Sequence, residues 1–227
     1  MKNIAIITAR SGSKGLPDKN IKQLNSLPLI AYSIKAAADS GVFDTIMVST
    51  DSDEYAEVAK RFGAQVPFLR SKDNSDDNAS SWDTVIEVLN NYAKMNMRFD
   101  TMCLLQPTSP LREADDIVNG YNLFNEKNAD SVTAVCETDH SPLWCMQLDD
   151  SLSLKEYNKK SLDLPRQKLA RYFRINGALY IRKIDYSDNT IKLLKNNDYA
   201  YIMPKERSID IDNEMDYKMA EWFLNSK

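Results

Sequence analysis

The chain carries one histidine, three cysteines and no apolar run approaching the ~20 residues that a bilayer span requires. With His140 alone, a Ser/His/Asp triad would have to be built on that residue, and its flanks are polar and proline-bearing. It reads as a surface-loop histidine. Cys103, Cys136 and Cys145 show neither C-x-x-C pairing nor metal-ligand spacing. Cys103 and Cys136 lie in apolar runs, so buried free thiols in a reducing compartment are expected. No basic start followed by an apolar stretch and a small-residue cleavage site is present, and a soluble, cytoplasmic protein is expected. A net charge of −4 argues against nucleic acid or an anionic membrane as the main partner, while leaving room for a local cationic pocket. The Walker pattern G-x-x-x-x-G-K-[ST] and the dinucleotide fingerprint G-x-G-x-x-G are both absent.

What is present is alternation. At 227 residues the chain can bury one substantial core. Strands are expected at Ile4–Ile7, Thr45–Ser49, Gln65–Leu69 (weaker), Met102–Leu105 and Val132–Val135. Helices are expected at Leu29–Ala38, stopped at Gly41, at Asp53–Phe62, closed by Gly63, and at Asp115–Phe124. Ser80 or Ser81 caps another helix, whose Val85, Val88, Leu89 and Tyr92 fall at i, i+3, i+4 and i+7. The pattern predicts an α/β fold with a doubly wound, mostly parallel sheet covered on both faces. From Asp139 to Arg174 the pattern lapses, with Pro142, Pro165 and a polar stretch, which predicts an excursion from the sheet. Ala178–Ile181, Tyr199–Met203 and Ile209–Ile211 resume short strands, and Glu214–Leu224 is a closing helix. One domain, residues 1–227, with 139–174 protruding, is the expected organisation.

Two segments carry chemistry. The first strand empties into Arg10-Ser11-Gly12-Ser13-Lys14-Gly15-Leu16-Pro17-Asp18-Lys19-Asn20, in which three cations are interleaved with two glycines. At the carboxyl end of a strand, glycines let backbone N–H groups approach phosphate oxygens and the cations neutralise them. Near the other end, Ser208-Ile209-Asp210-Ile211-Asp212 alternates apolar and acidic residues. A period of two puts both carboxylates on one face, ~6–7 Å apart, where they can grip one hard cation such as Mg²⁺ that shares its ligands with phosphates. The same pattern fits a solvated acidic edge strand, or Asp212 capping the helix that follows. Taken with the basic loop, it completes a triphosphate-plus-metal site suited to nucleotidyl transfer.

These segments, with V-S-T-D-S-D-E, L-L-Q-P-T-S-P-L-R, L-P-R-Q-K-L, R-I-N-G-A-L-Y-I and S-I-D-I-D-N-E-M-D, run in order from Ile6 to Asp216. In them the chain resembles the CMP-N-acetylneuraminate synthetase (acylneuraminate cytidylyltransferase) family. The resemblance implies a homodimer with a Rossmann-like body of the nucleotide-diphospho-sugar transferase type and a small dimerisation subdomain. It implies that CTP and a nonulosonic acid yield a CMP-sugar and pyrophosphate with Mg²⁺. Arg10 and Lys14 would hold the triphosphate tail, and Lys19 would neutralise charge at the α-phosphate. Asn20, Arg70 and Ser81 would contact cytidine. Gln106, Arg166, Arg174, Asn176 and Tyr180 would shape the sugar side, and Asp210 and Asp212 would bind the metal. Asp212 is also the candidate for deprotonating the attacking hydroxyl, directly or through metal-bound water.

The chain departs from the family pattern on the acceptor side. Trp144 stands where some bacterial members carry a basic residue after an H-x-P-L-like segment, and Leu193 and Leu194 align with an aromatic pair. N-acetylneuraminate is the expected acceptor, with legionaminic, pseudaminic or 3-deoxy-manno-octulosonic acid as alternatives. From other classes, a non-catalytic nucleotide-binding protein and an NTP hydrolase are the competing readings, disfavoured by the acidic pair and by the missing Walker pattern. Ser109 is read as turn and cap chemistry, Asp51, Asp53 and Glu54 as helix capping, and Trp82 and Trp222 as helix-face residues. Trp144 fits an acceptor pocket or dimer packing equally.

Overall fold

The computed structural model describes residues 1–12, 15–76, 80–154, 165–187 and 190–226. Nine strands are described: β1 (Asn3–Thr8), β2 (Gln23–Leu24), β3 (Leu27–Pro28), β4 (Thr45–Ser49), β5 (Thr101–Leu105), β6 (Ser131–Glu137), β7 (Phe173–Asp185), β8 (Lys192–Leu193) and β9 (Asp198–Ile202). The described α-helices are α1 (Leu29–Ser40), α2 (Asp53–Arg61), α3 (Ser81–Lys94), α4 (Ala114–Glu126) and α5 (Glu214–Asn225).

The strand that opens the chain shows why the sheet is covered on both faces. Ala5 and Ile7 pack with residues of α1, α2 and α4, whereas Ile4 and Ile6 pack with Val85, Val88, Leu89 and Tyr92 of α3. Period two in an all-apolar strand thus feeds two cores, one on each side. The sheet order is β4-β1-β5-β7-β6-β9, with β8 pairing β7. β1 runs parallel to β4 and β5, and β6 parallel to β9, but β7 is antiparallel to both its neighbours. This is the doubly wound, mostly parallel α/β sheet expected, with one reversed strand at its centre. Cys103 and Cys136 are buried free thiols and Cys145 is exposed. No helix among the described residues is long and apolar enough to cross a membrane.

Three local expectations are corrected. Gln65–Leu69 forms no ladder: a single parallel bridge, Met47 to Gln65, remains. Pro67 has no N–H to extend it, and further on the Arg70 N–H turns to the Thr50 carbonyl at 2.8 Å. Ile209–Ile211 is not a strand either; in place of a ladder, the Ile211 N–H donates to the Thr108 carbonyl at 2.8 Å and its carbonyl accepts from Lys19. Asp51 caps no helix. Ser52 is the N-cap of α2, accepting from the Tyr55 N–H, while Asp51 points to the basic loop.

Between β6 and β7 the chain leaves the sheet, and its described residues form two short 3-10 turns, Pro142–Trp144 and Arg166–Lys168. Residues 155–164 of the expected excursion lie outside the described residues. Where the chain returns past β9, Arg207 grips Asp116 at the start of α4 through two hydrogen bonds of 2.7 and 3.0 Å. Asp116 is fully buried and also accepts from the Tyr201 hydroxyl and the Glu113 N–H. Removing the cation would strand that carboxylate, so Arg207→Met should cost about 3 kcal/mol of stability. Urea unfolding measures it, and an unchanged midpoint would show the pair to be incidental.

Candidate active site

A third core cluster brings the two chemical segments together. Leu16, next to Gly15, and Ile211, between the two aspartates, are buried with Leu24, Leu29, Tyr217 and Ala220. Packing Leu16 and Ile211 into one cluster forces their polar neighbours onto one rim. The approach is close: a methyl group on Gly15 would lie 2.7 Å from the Asp212 carbonyl oxygen. Lys19 closes the junction, donating from Nζ to the Ile211 carbonyl at 2.6 Å and to Asp212 Oδ1 at 3.4 Å.

The rim bounds a cavity of about 480 Å³ at the carboxyl ends of β1 and β5. Of the residues expected at the site, Arg10, Lys19, Asn20, Arg70, Ser81, Gln106, Asp210 and Asp212 line it. Arg174, Asn176 and Tyr180 are not in its wall. The Asn176 amide is spent internally: it donates to Ser208 Oγ at 2.9 Å and accepts from the Ala178 N–H at 3.2 Å. Arg174 donates to the Ser208 carbonyl, and Tyr180 sits edge-on to Trp82. Lys14 and the Arg166 side chain lie outside the described residues.

Each wall has a local cause. Asn20 is buried and donates to the Arg10 carbonyl at 3.0 Å, bracing one end of the basic loop against the other. Ser11 is held from the far side, its N–H and hydroxyl both donated to the Asp51 carboxylate at 2.8 and 3.0 Å. Arg70 is buried and bonds the Ser49 hydroxyl and carbonyl. Burial lowers its pKa to about 10, against the opposing pull of Asp51 and Glu87, so it stays charged near neutrality. The loop beyond Arg70 is pinned from α3: Glu87 accepts from Ser71 and Asn74. Burial raises the Glu87 pKa, but those hydrogen bonds and Arg70 outweigh it and hold the carboxylate below its usual range. Ser80 caps α3, which leaves Ser81 in the cavity wall. Arg10 reaches across to donate to the Asp76 carbonyl at 2.8 Å.

The acidic pair is asymmetric. Asp210 is sunk into the wall, and burial raises its pKa, with Asp212 adding to the rise and the Thr108 hydroxyl, Lys19 and Arg174 opposing it. Its Oδ1 is buried with no hydrogen-bond partner among the described residues. Asp212 is exposed over 78% of its side chain and does not cap α5. Asn213 does, in a capping box with Asp216. Both aspartates line the cavity, Asp212 exposed at its rim and Asp210 half-buried in its wall. Among the described residues no cluster of three or more His, Cys, Asp or Glu forms a closed metal cage. Two oxygens from the protein and the rest from phosphate and water is the ligand set Mg²⁺ favours.

The family model described as cytidylyltransferase matches residues 4–216. The chain belongs to the cytidylyltransferase family. It is 36% identical to the CMP-N,N'-diacetyllegionaminic acid synthase of Legionella pneumophila, over 97% of this chain and 95% of that one. It is 35% identical to the N-acylneuraminate cytidylyltransferase of Escherichia coli over 96% of this chain, which spans only 51% of that relative's length. Among solved structures, a CMP:2-keto-3-deoxy-manno-octonic acid synthetase complexed with CTP superposes with a TM-score of 0.70 at 15% identity. That match covers 100% of this chain and 99% of the other, and it supports the Rossmann-like nucleotide-sugar transferase fold.

Two residues that hold this cytidylyltransferase site together went unassigned in the sequence. Asp51 lies 40 positions from the Ser11 it clamps, and its D-S-D-E context looks like ordinary helix capping. Arg112 sits in a turn that reads as punctuation, yet it is buried against three carbonyls and the Ser33 hydroxyl. Its one local signal was a cation between apolar Leu111 and the following helix.

Proposed function

We propose that the chain transfers the cytidylyl group of CTP to a nonulosonic acid, releasing pyrophosphate. One observation carries the reading: the basic loop and the acidic pair close one cavity, joined where Lys19 meets Ile211 and Asp212. Arg10, Lys14 and Lys19 would take the triphosphate, and Asn20, Arg70 and Ser81 the cytidine. Gln106, Arg166, Arg174 and Tyr180 would serve the acceptor side, with buried Asn176 acting behind them through its bond to Ser208. Asp210 and Asp212 would hold Mg²⁺, which when bound neutralises phosphate charge and makes the α-phosphorus a better electrophile. The acceptor's anomeric oxygen forms a bond to the α-phosphorus as the bond to the bridging β-phosphate oxygen breaks. Asp212, exposed at the rim, takes the hydroxyl proton, and Lys19 and Arg10 stabilise charge on departing pyrophosphate.

N-acetylneuraminate is the expected acceptor. A second reading, N,N'-diacetyllegionaminic acid, is favoured by a relative of that name matching from end to end, whereas the N-acylneuraminate enzyme matches over half its length. Pyrophosphate release from CTP and Mg²⁺ with a panel of these acids, pseudaminic acid and 3-deoxy-manno-octulosonate tests both. Turnover with at least one nonulosonic acid is expected; none with any would oppose the assignment. Gly15→Ala should weaken CTP binding about tenfold by driving the basic loop off the Asp212 carbonyl, and calorimetry reads this directly. An unaltered affinity would remove that loop from the nucleotide site.

A cytoplasmic homodimer completes the proposal, with 139–174 as its contact subdomain on a single-domain body. Ile175 and Ile202 both pair with Val135, forming an apolar row across β7, β6 and β9 that remains 60% and 55% exposed at its ends. Leu143, Met146, Leu148, Leu152 and Leu154 of the excursion are exposed as well. A second copy of the chain would cover such surface. Sedimentation velocity should give a dimer at micromolar concentration, and a monomer there would oppose it.

A further inference from the structure

Arg112 is only 3% exposed and, among the described residues, none of its hydrogen bonds goes to a carboxylate. Nη1 donates to the carbonyls of Gln106, Ser109 and Ala178, and Nη2 to Ser33 Oγ at 2.6 Å, while Nε is buried with no partner. A buried guanidinium lacking a direct counter-ion is costly, and a fold held only by packing would be better served by an apolar side chain. What the fork does is join three backbone pieces. It ties the end of β5 at Gln106, the turn at Ser109 and the middle of β7 at Ala178 to one another, with α1 behind them. The bound turn presents Gln106, Pro107 and Thr108 to the cavity. From that turn the Thr108 carbonyl accepts the Ile211 N–H between the two aspartates.

We infer that Arg112 is a positioning residue for cytidylyl transfer, its fork fixing the Gln106–Thr108 turn that holds Asp210 and Asp212 in register with the bound nucleotide. The inference rests on the nucleotidyl-transfer reading of this cavity and deepens it. Lysine keeps the charge but cannot bridge several carbonyls from one plane, so Arg112→Lys separates geometry from charge. CTP, gripped mainly by the basic loop and Arg70, should bind within threefold of the parent. Turnover, which needs the acidic pair in place, should fall at least thirtyfold.

Two readouts on Arg112→Lys test this, with thermal unfolding as the control for folding. Amide exchange at Ile211 should quicken about tenfold relative to β5, and kcat should fall while the calorimetric Kd for CTP holds. Unchanged Ile211 exchange, parental kcat, or a loss of CTP affinity equal to the loss of kcat would each overturn the inference. Should Arg112→Lys not fold, Ser33→Ala removes one acceptor of the fork. Faster Ile211 exchange and a kcat at least fivefold lower then support it, and parental values overturn it. A parent chain that releases no pyrophosphate counts against the nucleotidyl-transfer reading itself, and Ile211 exchange alone then decides on Arg112.

Discussion

Asp210→Asn should lower turnover by about a thousandfold, roughly 4 kcal/mol of transition-state stabilisation, and at the same time raise the thermal stability of the metal-free protein. Both effects have one cause. One oxygen of the half-buried Asp210 carboxylate is buried and, among the described residues, unpartnered, so the charge costs the fold stability and is kept for a ligand. The sign of the stability change follows from its titration. Burial raises its folded pKa above the ordinary aspartate value of 3.8, with Asp212 adding to the rise. Between that value and the raised one the folded state binds more protons than the unfolded state, so stability declines as pH rises through this window. Above it the ionised carboxylate destabilises the fold, and the uncharged amide is relieved of that cost. The stability difference should therefore be greatest near neutrality, shrink as pH falls through this window and vanish below pH 3.8. Scanning calorimetry at several pH values measures it. A variant less stable than the parent at neutral pH, or one retaining turnover, would contradict the role given to this residue.

Lys19→Met should lower kcat/KM by about a hundredfold or more, with most of the loss in kcat. The ammonium is anchored on the Ile211 carbonyl and lies beside Asp212, so it carries positive charge to the point where phosphate and metal ligands would meet. Its side chain is only 14% exposed, which fixes it there before any nucleotide arrives. Methionine keeps the stem and its packing but discards the charge. Steady-state kinetics with CTP and the acceptor found active separates the outcomes. A rise in KM alone would make Lys19 a general phosphate contact, and no change would remove it from the site.

The order of strands and helices was legible because most of it is written in local periodicity. Val85, Val88, Leu89 and Tyr92 specify one buried helix face, and Ile4–Ile7 a strand buried on two sides. Gln65–Leu69 misled because its apolar pattern says nothing about ladder donors, and Pro67 removes one. Ile209–Ile211 misled in a different way. The alternation holds, with Ile211 buried and both aspartates lining the cavity, but the support comes from the Thr108 carbonyl and Lys19 and not from a neighbouring strand. The ligand-facing residues were visible as charge set among glycines or isoleucines. Asp51 and Arg112 were not, because their partners are distant in sequence: Ser11 lies 40 residues away, and Ser33 and Ala178 lie 79 and 66. Only folding makes them neighbours. The antiparallel course of β7 was equally silent, since strand direction depends on where the 139–174 excursion returns the chain.

Manganese can replace magnesium at an oxygen site and is visible by anomalous scattering. Crystals grown with Mn²⁺ and CTP should show the metal about 2.0–2.4 Å from carboxylate oxygens of both Asp210 and Asp212, with the triphosphate against Arg10 and Lys19. Manganese bound away from both aspartates, or a triphosphate seated outside the cavity they share with the basic loop, would contradict a single nucleotide–metal site in this fold.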